Sequence, residues 1–170
     1  MRSTSGRVFL DTNILVYADD LDCPGKRLAA QSIIEDCFLR KSGVLSTQVL
    51  QEFFAVCVSK LRVAPEVARR RIEVFSTLEV FPIGVEDILG AIDLHRLNGY
   101  SFWDSLILRA ALESGCTVCY TEDLDHGRQI GALKIVNPFL EGKRAGASEK
   151  PATYRRPRPT SPGKQRSKQR

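Results

Sequence analysis

Residues 8–15 read Val8-Phe9-Leu10-Asp11-Thr12-Asn13-Ile14-Leu15, and this stretch decides the fold. The apolar run before Asp11 predicts a short first strand, and the apolar residues that follow it begin a short helix. In parallel sheets, ligands bind at the carboxyl ends of the strands, so Asp11 is placed where a binding site is expected. Taken alone, however, such an Asp more often makes a turn or caps a helix.

Strands and helices alternate along the chain beyond this stretch. Further strands are predicted at residues 43–45, 79–83, 117–120 and 134–136, and helices at 24–41, 46–60, 65–76, 86–97 and 102–114. This alternation is typical of a parallel sheet that is covered on both faces. We therefore predict an α/β fold with three layers, α/β/α, around a central parallel sheet of about five strands.

The size and composition fit one globular domain. The chain has 170 residues, of which 43% are hydrophobic, and this is enough for a core of its own. No apolar run approaches the roughly 20 residues that a membrane-spanning helix needs. Residues 1–6 are polar and carry no secretory signal pattern. We expect a cytoplasmic protein that makes no contact with a membrane.

The net charge of +5 is distributed unevenly. Residues 143–170 contain ten Lys and Arg and one acid, which gives +9 and leaves −4 for residues 1–142. The segment is also rich in Pro, Ser, Gly and Gln, and it cannot bury enough apolar surface to fold. We predict a folded domain at 1–141 and a disordered basic tail at 142–170. Such a tail either attracts nucleic-acid phosphates or serves only as a solubilising extension.

Five scattered cysteines favour a reducing compartment over a disulfide framework. Cys116 and Cys119 form a C-x-x-C pair, but a zinc site would need two more ligands. The two histidines, His95 and His126, do not have the matching spacing. We therefore reject a structural zinc site and interpret the pair as part of a buried strand.

Three further acids lie close to the edge that Asp11 marks. Asp123 follows the strand predicted at 117–120. Asp104 lies on the apolar stripe of its helix, although Ser101, three residues earlier, also fits a helix cap. Glu52 borders the apolar face of the helix at 46–60, near the start of that helix. Together these acids indicate a site that none of them indicates alone.

Carboxylates brought together repel one another and stay ionised only with a compensating cation. Ligands that are all oxygen point to a hard metal, Mg²⁺ or Mn²⁺, and the absence of histidine argues against zinc hydrolysis. Such a metal lowers the pKa of a bound water and stabilises charge on a departing oxygen. The natural substrate for this chemistry is a phosphodiester.

Several segments carry a family resemblance, namely residues 9–15, 46–53, 102–107, 120–124 and 135–139. In their order, spacing and local context, the chain from about residue 8 to 139 resembles the PIN-domain proteins, and specifically the VapC-type ribonuclease toxins of bacteria. The resemblance implies a PIN-like fold and a metal-dependent endoribonuclease. Water would attack phosphorus in line and leave a 5′-phosphate and a 3′-hydroxyl.

The resemblance also assigns roles to residues of this chain. The four family acids would be Asp11, Glu52, Asp104 and Asp123. We expect Asp11, Asp104 and Asp123 to bind the metal most directly and Glu52 to act through a water. The groups that would hold these carboxylates by hydrogen bonds are Thr12, Asn13 and Thr121.

The fourth acid has three candidates in the sequence: Glu122, Asp123 and Asp125. The family pattern of Ser or Thr, any residue, then Asp selects Asp123. The resemblance further implies RNA as substrate, a co-encoded antitoxin lying across the acidic edge, and a homodimer. The apolar face of the helix at 46–60 spans roughly 200°, which also suggests a second packing partner, such as another copy of the chain.

Other functions fit the sequence less well. Phosphoryl transfer of the haloacid-dehalogenase kind needs a second Asp two residues after Asp11, where Asn13 stands. No Gly-rich phosphate loop with the pattern of a P-loop is present, so that class of nucleotide hydrolase is excluded. The main alternative is a non-catalytic RNA-binding or partner-binding module on the same fold. All four acids are present, which favours the enzyme.

Overall fold

A computed structural model describes residues 6–140 of the chain. In chain order the elements are β1 (Val8–Leu10), α1 (Thr12–Asp19), α2 (Pro24–Arg40), β2 (Gly43–Ser46), α3 (Thr47–Ser59), α4 (Pro65–Phe75), β3 (Glu79–Phe81), α5 (Val85–Asn98), α6 (Phe102–Glu113), β4 (Val118–Tyr120), β5 (Gln129–Ile130) and β6 (Leu133–Val136). The predicted α/β architecture is confirmed, and each predicted strand and helix is present within a few residues of its expected bounds.

The sheet contains six strands in the order β3-β2-β1-β4-β6-β5. All neighbouring pairs are parallel except β5 and β6, which are antiparallel. The sequence predicted about five parallel strands and missed β5. A strand of two residues has no periodicity to detect. It is formed by a tight turn in which Gly131 adopts a left-handed φ of +58°.

The centre of the sheet forms the core. Phe9 and Leu10 of β1, Val44 and Leu45 of β2, and Cys119 of β4 are at most 1% exposed. Parallel strands covered by helices on both faces lack an outer polar side, so their residues are apolar without alternation. The C-x-x-C pair agrees with its interpretation, because Cys119 is buried in β4 and Cys116 is buried just before it.

The strand register sets the position of the acids. Leu10 is paired with Tyr120 in the parallel ladder of β1 and β4, so both strands end at the same level. The backbone N–H of Asp11 still donates to the carbonyl of Tyr120, at 3.0 Å. The residues that directly follow the two strands, Asp11 and Thr121, therefore lie side by side at one edge.

Helix α3 has its second packing surface within the same chain. It packs against both α1 and α4, as well as against β2. Val49, Phe53 and Val56 are buried, whereas Phe54 remains 39% exposed. The width of the apolar face, from which we inferred another copy of the chain, is thus largely explained by packing inside one subunit.

None of the helices within residues 6–140 combines the length and the apolarity that crossing a membrane requires. The predicted basic tail at 142–170 lies outside the described residues.

Candidate active site

Asp11 is buried at the end of the central strand, where it is 1% exposed. Its Oδ1 accepts the backbone N–H of Thr12 at 2.7 Å and thereby caps α1. Its Oδ2 accepts the hydroxyl of Thr121 at 2.7 Å. The helix cap therefore fixes this carboxylate at the sheet edge, where the sequence predicted a site residue.

Asn13, fully buried in the first turn of α1, joins Asp11 to Asp123. Its Nδ2 lies 3.3 Å from Asp11 Oδ2 and 3.2 Å from Asp123 Oδ2. The same nitrogen is 3.2 Å from Thr121 Oγ1, so its two hydrogens are shared among three acceptors. Thr121 in turn accepts the backbone N–H of Asp123 at 3.1 Å. The two acids predicted at separate strand ends thus share two hydrogen-bond partners.

Glu52 reaches the same edge from α3, where it is half-buried. The Thr12 hydroxyl donates to its Oε2 at 3.1 Å, and Gln48 Nε2 donates to its Oε1 at 2.7 Å. Gln48 is 3% exposed and was not among the predicted site residues. Its spacing of four residues from Glu52, which places both on one helix face, is the signal that could have revealed it.

Asp104 is half-buried in the first turn of α6. Ser101 caps this helix, since its Oγ accepts the backbone N–H of Asp104 at 3.1 Å and donates to Oδ2 of the same residue at 2.6 Å. Gln48 links α6 to Glu52, because its Nε2 also lies 3.2 Å from the carbonyl of Trp103. Asp104 therefore lies one residue from the hydrogen-bond network that holds Glu52.

The structure separates the three candidates for the fourth acid. Glu122 is bound to Lys26 and to the Tyr17 hydroxyl. Asp125 accepts from Arg128 at 3.3 Å and from the Tyr100 hydroxyl at 3.1 Å. Asp123 is the one whose carboxylate meets Asn13, the partner of Asp11. This placement supports the choice of Asp123.

The donor chemistry of the site fits a hard cation. The four acids supply only oxygen ligands, which Mg²⁺ and Mn²⁺ prefer. Two neighbouring amide oxygens, Asn13 Oδ1 and Gln48 Oε1, are buried with no hydrogen-bond partner among the described residues. In their present positions, however, no three His, Cys, Asp or Glu side chains within residues 6–140 converge closely enough to hold an ion. Asn13 instead bridges the carboxylates of Asp11 and Asp123, and Thr12 bridges those of Asp11 and Glu52. Gln48 donates to Glu52.

Known structures resemble the chain in fold. A toxin–antitoxin complex from Klebsiella pneumoniae has a TM-score of 0.57 at 18% identity, with 77% of this chain and 97% of the other covered. DNA-bound VapBC from Salmonella typhimurium has a TM-score of 0.55 at 23% identity, covering 76% and 96%. VapC20 from Mycobacterium tuberculosis, a toxin that cleaves the sarcin–ricin loop, has a TM-score of 0.53 at 20% identity, covering 69% and 91%.

The family itself is given by the sequence. No curated protein matches the chain significantly. The family model of the PIN domain, in contrast, matches residues 8–130, which is well over half of the chain and includes all four predicted acids. The chain therefore belongs to the PIN domain family.

Proposed function

We propose that this chain is a metal-dependent endoribonuclease that hydrolyses phosphodiester bonds in RNA, and that it is the toxin of a toxin–antitoxin pair. The observation that carries the proposal is the network at the carboxyl edge of the sheet. Asn13 and Thr121 tie Asp11 to Asp123, and Thr12 ties the same edge to Glu52. In a member of the PIN domain family, such a group of acids is most simply explained as a nuclease site.

The proposed cofactor is Mg²⁺ or Mn²⁺. Asp11, Asp104 and Asp123 would hold it directly, and Glu52 would act through a water. When bound, such an ion supplies a water of lowered pKa and stabilises charge on the departing oxygen. The protein residues orient the carboxylates. Thr121, which directly follows β4, donates to Asp11, and Thr12, at the start of α1, donates to Glu52 on α3. The proposed products carry a 5′-phosphate and a 3′-hydroxyl.

The direct test is cleavage of a fluorescent RNA during titration with Mg²⁺ or Mn²⁺. We expect cleavage only with added metal, and at least a ~100-fold loss in Asp11→Asn and Asp104→Asn, whose folds stay intact by circular dichroism. Undiminished cleavage by both variants would refute the assignment. If the wild-type protein binds RNA but never cleaves it with either metal, the non-catalytic alternative is correct.

A cognate antitoxin is proposed as the protein partner. Solved structures that the chain resembles include complexes of a toxin with an antitoxin. A basic side chain of the antitoxin would take the place of the metal's charge at the acidic edge. Because such a partner competes with the cation, an inhibited complex should regain activity as Mn²⁺ is raised. Inhibition that does not respond to Mn²⁺ would contradict this mode of binding.

The basic tail is proposed to bind RNA, with residues 1–141 as the nuclease domain. Deletion of residues 143–170 removes ten cationic side chains and should weaken RNA binding and flatten its salt dependence. Filter binding at several salt concentrations measures both quantities. If the affinity for RNA and its dependence on salt concentration are unchanged, the tail does not bind RNA.

A homodimer and a cytoplasmic location complete the proposal. The apolar face of α3 is used for packing within the subunit, but α5 offers another surface for dimerisation. Apolar side chains are exposed along one side of α5, namely Val85, Ile88, Leu89 and Ile92. An exposed apolar stripe of this kind favours association. Sedimentation at micromolar concentration should give a dimer, and a monomer would count against it. The cytoplasm is where RNA and a co-encoded antitoxin would both be available.

A further inference from the structure

We propose that Lys26, Tyr17 and Glu122 form a positioning device for Asp123, an inference that rests on the proposed nuclease function. These three side chains, called here the buried cluster, contact one another beside the acidic edge. None of them is one of the four acids. The buried cluster fixes the segment that carries Asp123, so that its carboxylate stays aligned with Asp11.

The three side chains of the buried cluster are joined to one another by hydrogen bonds and by one ion pair. Lys26 Nζ lies 2.5 Å from Glu122 Oε2 and 2.9 Å from the Tyr17 hydroxyl oxygen. The Tyr17 hydroxyl donates to the other carboxylate oxygen, Oε1 of Glu122. The ammonium group also lies 4.2 Å from the centroid of the Tyr17 ring and 5.4 Å from that of Phe139. Each charged group therefore has both a charge partner and a hydrogen-bond partner.

The burial of these groups restricts how far their side chains can move apart. The side chain of Glu122 is 9% exposed and that of Lys26 is 19% exposed, while Tyr17 is 1% exposed. Phe139 packs edge-on against Tyr17, with ring centroids 5.1 Å apart. A charge pair removed from water is costly to separate, because either partner alone would be left buried and unpaired. The cluster thus has one strongly preferred geometry.

The cluster acts on Asp123 through the chain. Residues 121–123 are consecutive, and each side chain is hydrogen-bonded elsewhere in the chain: Thr121 to Asp11 and Asn13, Glu122 to Lys26 and Tyr17, and Asp123 to Asn13. Asn13 and Tyr17 are four residues apart, so they share one face of α1. One helix face therefore holds the segment at both Glu122 and Asp123. Without the Glu122 anchor, the segment would lose its attachment to α1 and α2 at the residue next to Asp123.

The chain offers a matched control on the other side of Asp123. Arg128, Tyr100 and Asp125, called here the exposed cluster, repeat the same chemistry of a cation, a tyrosine and a carboxylate. The Tyr100 hydroxyl donates to Asp125, as that of Tyr17 donates to Glu122. Tyr17→Phe and Tyr100→Phe therefore remove the same atom from two similar clusters.

The experiment compares Glu122→Gln, Tyr17→Phe and the control Tyr100→Phe in the full chain. Three quantities are measured: the Mn²⁺ dissociation constant by calorimetry, kcat and KM for RNA, and the hydrogen-exchange rate of the Asp123 amide relative to that of the Asp11 amide. We expect Glu122→Gln to weaken Mn²⁺ binding about tenfold and to lower kcat with little change in KM. Tyr17→Phe should show the same changes to a smaller degree, and Tyr100→Phe none of them.

Hydrogen exchange keeps the two proposals separable. The Asp123 amide is bonded to Thr121 Oγ1, whereas the Asp11 amide lies in the central sheet, so their ratio reports local loosening rather than global unfolding. If the exchange ratio rises in Glu122→Gln but not in Tyr100→Phe, the positioning role is supported. This holds even if the wild-type protein binds no Mn²⁺, because the absence of metal binding would refute only the proposed function. An unchanged ratio, with Mn²⁺ affinity and kcat at wild-type values, would reduce the cluster to a structural ion pair and overturn the inference.

Discussion

Two clusters with the same three kinds of side chain flank Asp123, and they differ in burial. In the buried cluster, the charged side chains of Lys26 and Glu122 are 19% and 9% exposed. In the exposed cluster, those of Arg128 and Asp125 are 38% and 71% exposed. The cation-to-carboxylate distance is 2.5 Å in the first and 3.3 Å in the second.

The comparison shows that composition does not determine what an ion pair contributes. Near the surface, water and salt screen the attraction between Arg128 and Asp125, and such pairs contribute about 0–1 kcal/mol. In the interior, the desolvation of Lys26 and Glu122 offsets much of their attraction. The buried pair therefore adds little net stability as a pair, but it strongly resists the loss of one partner. A group with this property is suited to fixing a geometry.

The largest expected effect comes from breaking each pair at its cation. Lys26→Met leaves Glu122 buried without its charge partner and should lower the free energy of unfolding by about 3 kcal/mol. Arg128→Met leaves Asp125 in water and should cost less than about 1 kcal/mol. Urea unfolding of the two variants measures both values. Equal losses in the two variants would mean that burial does not distinguish the clusters.

A second variant separates stability from positioning. Lys26→Met/Glu122→Gln removes both charges and should recover about 2 kcal/mol relative to Lys26→Met, because no buried charge remains unpaired. We expect kcat for RNA to stay low in this variant, since the neutral pair no longer anchors residues 121–123. Urea unfolding and steady-state kinetics on the same preparation decide the point. If both the free energy of unfolding and kcat recover in the double variant, Lys26 acts through stability alone.

Removing one hydroxyl from each cluster should have a smaller effect. Tyr17→Phe takes a hydrogen bond from two charged, largely buried partners and should cost about 1.5 kcal/mol. Tyr100→Phe removes a bond that water replaces, and the free energy of unfolding should change by less than about 0.5 kcal/mol. Urea unfolding again gives both differences. A greater loss in Tyr100→Phe would reverse the assignment of the two clusters.

The acids at the strand ends could be predicted from the sequence because neighbouring parallel strands end at the same edge of a sheet, and the residues that follow them lie there. Once β1 and β4 are parallel neighbours, Asp11 and Thr121 must lie side by side, and the placement of Asp123 follows. Glu52 and Asp104 were predicted on helix faces for a similar reason, through the period of the apolar pattern, and their role in a site stays a prediction.

The buried cluster could not be predicted in this way. Its pairing depends on how the first turn of α2 packs beside α1 and the segment that follows β4, and no local pattern encodes that position. In sequence, Lys26 resembles any polar residue at the start of a helix, and Glu122 competes with Asp123 and Asp125 for the same role. Gln48 was missed because a polar residue beside Glu52 fits a solvated strip equally well. Three-dimensional packing alone separates these alternatives.

The smallest expected effect is a change in the titration of Tyr100. Partial burial raises the pKa of Tyr100, and its hydrogen bond to Asp125 raises that pKa further, while Arg128 lowers it. Asp125→Asn should therefore lower the pKa of Tyr100, because the contribution of the Asp125 carboxylate is lost while those of burial and Arg128 remain. A tyrosine pKa raised by folding stabilises the protein below the unfolded-state value, and this stabilisation is lost as the pH rises through the folded-state pKa. Ultraviolet difference titration against Tyr100→Phe isolates this tyrosine. A pKa of Tyr100 that rises in Asp125→Asn would show that the Asp125 carboxylate does not accept a hydrogen bond from the Tyr100 hydroxyl. The exposed cluster would then lack the tyrosine–carboxylate hydrogen bond that makes it comparable to the buried cluster.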